Sequence, residues 1–188
     1  MERILLLQNW IAAQFPGKAF DLQPASEDAS FRRYFRVSFA DGTLIAMDAP
    51  PAHEDCRPFI KVAELLLAAG VHVPRVLKSD LQLGFLLLDD LGRATYLQAL
   101  NADNAHAFYL DAINALIKIQ LASRAGVLPD YDAALLMREM RLFPDWYAAR
   151  HLQAELNAAQ TETLNQAFER VLANNLAQPK VYVHRDYH

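Results

Sequence analysis

The chain has 188 residues, of which 53% are hydrophobic and 21% charged, a composition that suits a globular protein with a core of its own and one domain or two small lobes. Eighteen Lys and Arg against 22 Asp and Glu leave a formal net charge of -4, which argues against a general affinity for nucleic acid but not against a local site for an anion. With one cysteine, Cys56, no intrachain disulfide can form, and a reducing cytoplasm is the expected setting.

Residues 2 to 14 predict an amphipathic helix stopped by Pro16-Gly17. The apolar run Ile4-Leu5-Leu6-Leu7 breaks at Gln8-Asn9 and has no small-residue cleavage site, so it reads as neither a signal peptide nor a membrane anchor. No apolar stretch approaches the roughly 20 residues needed to span a bilayer.

From Phe31 the spacing changes. Phe31, Phe35, Val37 and Phe39 alternate with polar residues, which predicts a half-buried strand. Asp41-Gly42 is a favoured hairpin pair, and Thr43 to Met47 is the expected return strand. A helix over 58 to 69 follows, with Pro58 suited to its first turn and Gly70 just past its end. Val73 to Leu77 and Gly84 to Leu88 predict two more strands, joined through Ser79-Asp80. Asp89-Asp90-Leu91-Gly92 then breaks the pattern, and helices are expected over 94–100, 103–122, 132–142, 144–156 and 161–176. We place a lobe boundary at this break, with one lobe over 1–90 and a partial helical lobe over 91–188. The last segment, Lys180 to Val183, predicts a short buried strand running into the polar turn His184-Arg185-Asp186-Tyr187-His188. A buried strand with nothing to cover it is unusual at a chain end, so truncation is the expectation.

Four segments could carry chemistry. An aspartate on a loop after a strand, as in His184-Arg185-Asp186, can take the proton from a hydroxyl that attacks phosphorus. Alone the tripeptide is a weak signal, and a capping Asp is the plain alternative. Ser26 to Val37 sets small and polar residues before an Arg-rich strand, a pattern that can offer N–H groups and forked guanidinium donors to phosphates. An ordinary hairpin with a basic face fits it equally well. Glu64 stands where kinases place a helical partner for a strand lysine, yet the strand Leu44 to Asp48 has no lysine, so an exposed Glu is the simpler reading. His53 and Cys56 have plausible metal spacing but no second pair of ligands. His184, Asp186 and His188 alternate and would share a face on a continuing strand, which keeps a metal hydrolase as a third reading. Trp10 and Trp146 fit core or lobe-surface packing better than stacking platforms.

These segments together resemble the aminoglycoside-phosphotransferase, kinase-like family. The resemblance runs through Ala29-Ser30-Phe31-Arg32-Arg33-Tyr34-Phe35-Arg36, Met47-Asp48-Ala49-Pro50-Pro51, the Glu64 helix with Gly70 to Val76, Leu88-Asp89-Asp90-Leu91-Gly92 and His184-Arg185-Asp186-Tyr187-His188. It is nearest to the bacterial cell-wall amino-sugar kinases, which phosphorylate the anomeric hydroxyl of N-acetylmuramate or N-acetylglucosamine during peptidoglycan recycling. The resemblance implies an α+β, two-lobed protein-kinase-like fold with ATP as donor and Mg²⁺ as bridge. By motif position it makes Asp186 the catalytic base, puts Ser30 and Arg32 near the phosphates, and gives adenine to the backbone around Asp89, Asp90 and Leu91. Met47 or a neighbour replaces the usual strand lysine, so Arg32 and Arg33 are the candidates for its phosphate contacts. The Asn and the later Asp that such kinases use for magnesium would lie beyond His188, so residues 1–188 alone are expected to turn over little. A small sugar or amino alcohol is the expected partner, with neither nucleic acid nor membrane. A non-catalytic nucleotide-binding module is the competing reading.

Overall fold

The computed structural model describes residues 2–27 and 31–187, and it is an α+β structure. Two compact units are present, Met1–Ile119 and Gln120–His188. That division falls later in the chain than the lobe boundary expected after Asp90.

The first unit is built on a five-stranded sheet in the order β1-β2-β3-β5-β4. The strands are β1 (Asp21–Glu27), β2 (Arg33–Phe39), β3 (Gly42–Asp48), β4 (Val76–Asp80) and β5 (Phe85–Asp89), with every neighbouring pair antiparallel. Helix α1 (Glu2–Gln14) precedes the sheet, α2 (Cys56–Ala68) connects β3 to β4, and α3 (Tyr96–Ala99) and α4 (Ala105–Leu121) follow β5.

Side chains alternate across a pleated strand, and in the central strands both faces are covered. Val37, Ala46, Phe85 and Leu87 pack with Leu7 and Ile11 of α1. Met47, Leu86 and Leu88 point the other way and pack with Cys56, Phe59 and Ile60 of α2. This two-sided burial is why β5 reads as an unbroken apolar run rather than an alternating one. It also explains Met47: the place where kinases carry a strand lysine is filled here by a fully buried apolar side chain.

Several sequence expectations change. Strand β1 is not among the elements expected from the sequence. The structure accommodates Pro24 at a sheet edge beside a register shift, where a missing N–H breaks no interior ladder. Strand β4 begins at Val76, not Val73, and Ser79-Asp80 ends the strand instead of forming the turn. The Asp80 side chain accepts the Gln82 and Leu83 N–H groups and so builds the turn that follows. Helix α2 starts at Cys56 because Asp55 caps it, its carboxylate accepting the Arg57 N–H at 2.9 Å.

The second unit holds α5 (Ala133–Leu142), a π-helical segment (Phe143–His151) and α6 (Ala158–Leu176). Asp132 and Asn157 cap α5 and α6. The expected helix over 144–156 is thus a shorter, wider coil. Pro144 lacks the N–H that an α-helix would return to Met140, and the coil closes with a bond from the Leu152 N–H to the Tyr147 carbonyl. The expected strand over Lys180 to Val183 is not formed. Residues 180 to 187 are irregular, with Val181 and Val183 exposed, because no other strand of the described residues pairs with them.

Gly84 allows the tightest approach in the sheet unit. Its φ is +71°, its carbonyl accepts the Ala49 N–H at 2.8 Å, and a Cβ there would meet the Ala49 carbonyl oxygen at 1.9 Å. We expect Gly84→Ala to cost on the order of 3 kcal/mol, from left-handed strain together with this overlap. Urea unfolding followed by circular dichroism should show a lower midpoint with little change in slope.

Candidate active site

The structure places the candidate nucleotide-binding residues at both ends of the sheet, each set held by ion pairs: Arg32 and Arg33 where β2 begins beside Asp48, and Asp89 and Asp90 where β5 ends beside the start of β3. Ser30 lies outside the described residues. Phe31 stacks on His53 with ring centroids 4.5 Å apart, so His53 is held by an aromatic contact. Arg32 Nε donates to Glu54 at 3.1 Å. These two contacts tie the entry of β2 to the loop before α2. Cys56 is buried, and burial pushes its thiol pKa up, so it behaves as a small packing side chain.

Arg33 faces Asp48 across β2 and β3 and donates to it through Nε and Nη2. Arg3 of α1 reaches the other oxygen of the same carboxylate at 2.6 Å and also donates to the Leu83 carbonyl. Asp48 has no solvent exposure, whereas the Arg33 side chain keeps 47% of its own. Two guanidinium groups on one carboxylate leave this corner with net positive charge. Glu64 is exposed on α2, as the simpler reading had it.

The segment after β5 is fixed by a second pair. Arg36 Nε and Nη2 bond both oxygens of Asp90 at 2.6 and 3.0 Å, and Nη2 also reaches the Gly92 carbonyl. The Asp90 side chain is only 5% exposed and also accepts the Gly92 N–H at 2.9 Å. The Arg36 hydrogen bonds, helped by those from Thr43 and the Gly92 N–H, hold its carboxyl well below the usual carboxylate range. Asp89 pairs with Arg75, and its N–H is taken by the Arg75 carbonyl at 3.1 Å. Of the three residues expected to hold adenine, Asp89 and Asp90 therefore have side chains engaged within the sheet unit, and Leu91 is half exposed.

In the second unit the candidate base stands on an anchored turn. Arg185 has φ +74°, a conformation that costs a non-glycine residue on the order of 1 kcal/mol. Its guanidinium pairs with Glu139 of α5, and Glu139 also accepts the Tyr131 hydroxyl. The Tyr131 and Arg185 bonds lower the Glu139 pKa, and the Tyr131 pKa rises in return. The Tyr182 N–H donates to Ser123 Oγ at 2.7 Å. Asp186 follows Arg185 and is exposed. Because the segment is not a strand, the shared face expected of His184 and Asp186 does not form, and His188 lies outside the described residues. No group of three His, Cys, Asp or Glu side chains that could hold a metal occurs among the described residues.

The APH phosphotransferase enzyme family model matches residues 21–188, nearly the whole chain. The chain belongs to that family. Helix α1, which supplies Arg3, lies before the matched region. Among curated relatives, the N-acetylmuramate/N-acetylglucosamine kinase of Pseudomonas aeruginosa is 56% identical over 167 residues, 89% of this chain and 49% of that protein. The protein of the same name from Pseudomonas putida is 51% identical, covering 90% of this chain and 50% of its own length. That from Neisseria meningitidis is 45% identical across 100% of this chain and 57% of its own length. The chain thus spans about half the length of the curated relatives it matches.

Sequence reasoning named the arginines but missed their partners. Arg3, Glu54, Tyr131 and Glu139 carry no motif of their own, Arg36 and Asp48 stand inside motifs that give them no partner, and only the folded chain brings these residues to Asp48, Arg32, Arg185, Asp90 and Arg33.

The Arg36–Asp90 pair yields a pH prediction. The folded pKa of Asp90 lies below its unfolded value of about 4, so its stabilisation is complete above that value and is lost as pH falls through the folded pKa. Asp90→Asn leaves Arg36 buried without its counter-charge and should cost about 3 kcal/mol at pH 7. Thermal unfolding of both proteins between pH 7 and pH 2 should show the gap narrowing toward the acid end.

Proposed function

We propose that this chain carries the nucleotide-binding and base-bearing part of an ATP-dependent kinase that phosphorylates a hydroxyl of a small amino sugar. The anomeric hydroxyl of N-acetylmuramate or N-acetylglucosamine is the acceptor we favour, and peptidoglycan recycling in the cytoplasm is the setting. The observation that carries this reading is the turn at Asp186. It is held by Arg185, Glu139 and Tyr131 in a chain that matches a phosphotransferase family from residue 21 to residue 188. The names of the relatives support the acceptor class. No helix among the described residues is long and apolar enough to cross a membrane.

The division of labour follows from the chemistry. In phosphoryl transfer the acceptor oxygen bonds to the γ-phosphorus, the bond from that phosphorus to the bridging oxygen breaks, and ADP leaves. Asp186 accepts the proton of the acceptor hydroxyl as that oxygen attacks. The positive corner around Arg33, with Arg32 beside it, offsets phosphate charge, the part that a strand lysine plays elsewhere in kinases. The Asp90–Arg36 pair fixes the chain after β5, so the backbone at Asp90 and Leu91 is set at a constant height for adenine. Asp89 contributes less, since its N–H is already bonded within the sheet unit. Mg²⁺ would screen charge on the β- and γ-phosphates when bound. The described residues show no assembled ligand group for it, so no step here is assigned to the ion.

The test is an ADP-release assay on the full-length protein with N-acetylmuramate, N-acetylglucosamine, choline, homoserine and kanamycin. We expect turnover on an amino sugar and a loss of roughly 10²–10⁴-fold in kcat for Asp186→Asn. ATP binding without turnover on any acceptor would instead support a nucleotide-binding regulatory module.

A further inference from the structure

The π-helical segment carries two columns of side chains. Leu142, Trp146 and Arg150 recur every four residues in one column, and Phe143, Tyr147 and His151 form the other. The rings of the second column lie parallel, with centroids 5.7 Å apart for Phe143 and Tyr147 and 5.5 Å for Tyr147 and His151. In the first column the Arg150 guanidinium sits 4.1 Å above the Trp146 ring. Ala148 is the buried residue of this segment, while Trp146 keeps 55% of its surface.

Together Leu142, Trp146, Tyr147, Arg150 and His151 form one shallow, solvent-open face on a single helical segment. π-Helical turns inside helices recur at functional sites, because the wider coil turns side chains away from the positions an α-helix would give them. The coil also continues α5 directly. Leu142 stands three residues beyond Glu139 on that helix, so it is the next side chain along the face that anchors Arg185. This face therefore begins one helical turn from Glu139, the support of the Asp186 turn, within the same compact unit.

Resting on the kinase reading above, we propose that this face forms one wall of the acceptor subsite, and that Arg150 reads the carboxylate that distinguishes N-acetylmuramate from N-acetylglucosamine. The two sugars share a ring and an N-acetyl group, but only muramate carries an acidic lactyl ether. A flat aromatic face takes the apolar face of a pyranose ring, which both sugars offer. A guanidinium offers two parallel N–H donors to a carboxylate, which only one of them offers. Trp146 serves both functions, since stacking holds the guanidinium plane in place before the ligand arrives. Tyr147 supplies the second aromatic wall, with His151 stacked on it.

The test is steady-state kinetics on the full-length protein with each sugar. Arg150→Gln should lower the ratio of kcat/KM for N-acetylmuramate over N-acetylglucosamine by about tenfold or more, expressed in KM, as expected for a lost charge-assisted hydrogen bond. Arg150→Lys, which keeps the charge but loses the fork, should fall between. Trp146→Ala should weaken both sugars. Titration of N-acetylmuramate against tryptophan fluorescence should quench the wild type and fail in Trp146→Phe, a readout independent of turnover. If Arg150→Gln leaves the ratio between the sugars as it was, the subsite assignment is wrong while the kinase reading stands. If the wild type turns over neither sugar, the kinase reading falls and the subsite falls with it.

Discussion

Asp48 brings a carboxylate to the end of β3 at a point that solvent does not reach, and a buried charge is tolerated only with a partner close by. It has two. Arg33 comes from the neighbouring strand and Arg3 from a helix 45 residues earlier in the chain. The requirement that this carboxylate be neutralised therefore fixes the relation of α1 to the sheet and pins the start of β2. Arg3 also lies over Phe85, with its guanidinium carbon 4.9 Å from the ring centroid, so one side chain joins the ionic corner to the apolar core. The same arrangement sets the charge of the corner. One carboxylate between two guanidiniums leaves a net positive site at the sheet end where phosphates are expected.

The same device recurs at two other segments of irregular chain. Arg36 from the middle of β2 holds Asp90 just after β5, and Arg185 on the irregular chain end is held by Glu139 of α5. In each case a planar guanidinium meets a carboxylate from a distant element, a geometry that fixes direction as well as distance. The three pairs differ in depth. The Arg36–Asp90 pair is shielded from water and shapes stability, whereas the Arg185–Glu139 pair is more exposed and serves mainly to orient a turn.

Family membership and this anchoring support one chemical picture. A kinase needs a positive place for phosphates, a rigid strip for the base and a carboxylate aimed at the acceptor hydroxyl. The residues proposed for each come from the two compact units separately. The apolar core supports the first two directly: the double-sided burial of β3 and β5 leaves Met47 no room for a charged role, and the positive charge moves to β2. On the reading proposed above, acceptor recognition falls to the helical unit, where the π-helical coil carries an exposed aromatic and arginine face.

The sequence by itself determined the elements whose pattern is local. Helix α1, the β2–β3 hairpin around Asp41-Gly42, helix α2 and the apolar strand β5 follow from periodicity, caps and turn residues, each of which acts over a few neighbours. The motifs that carry the family resemblance are equally short, which is why Arg32, Arg33, Asp90 and Asp186 could be singled out. Only the tertiary structure decided the rest. Strand β1 exists because β2 offers it an edge that tolerates Pro24, and Lys180 to Val183 is irregular because no described strand pairs with it. The same holds for the ion pairs: Arg3 with Asp48, Arg36 with Asp90 and Glu139 with Arg185 are separated by 45, 54 and 46 positions. No local pattern encodes such a pairing, since it depends on which charges the folded core leaves facing one another away from water.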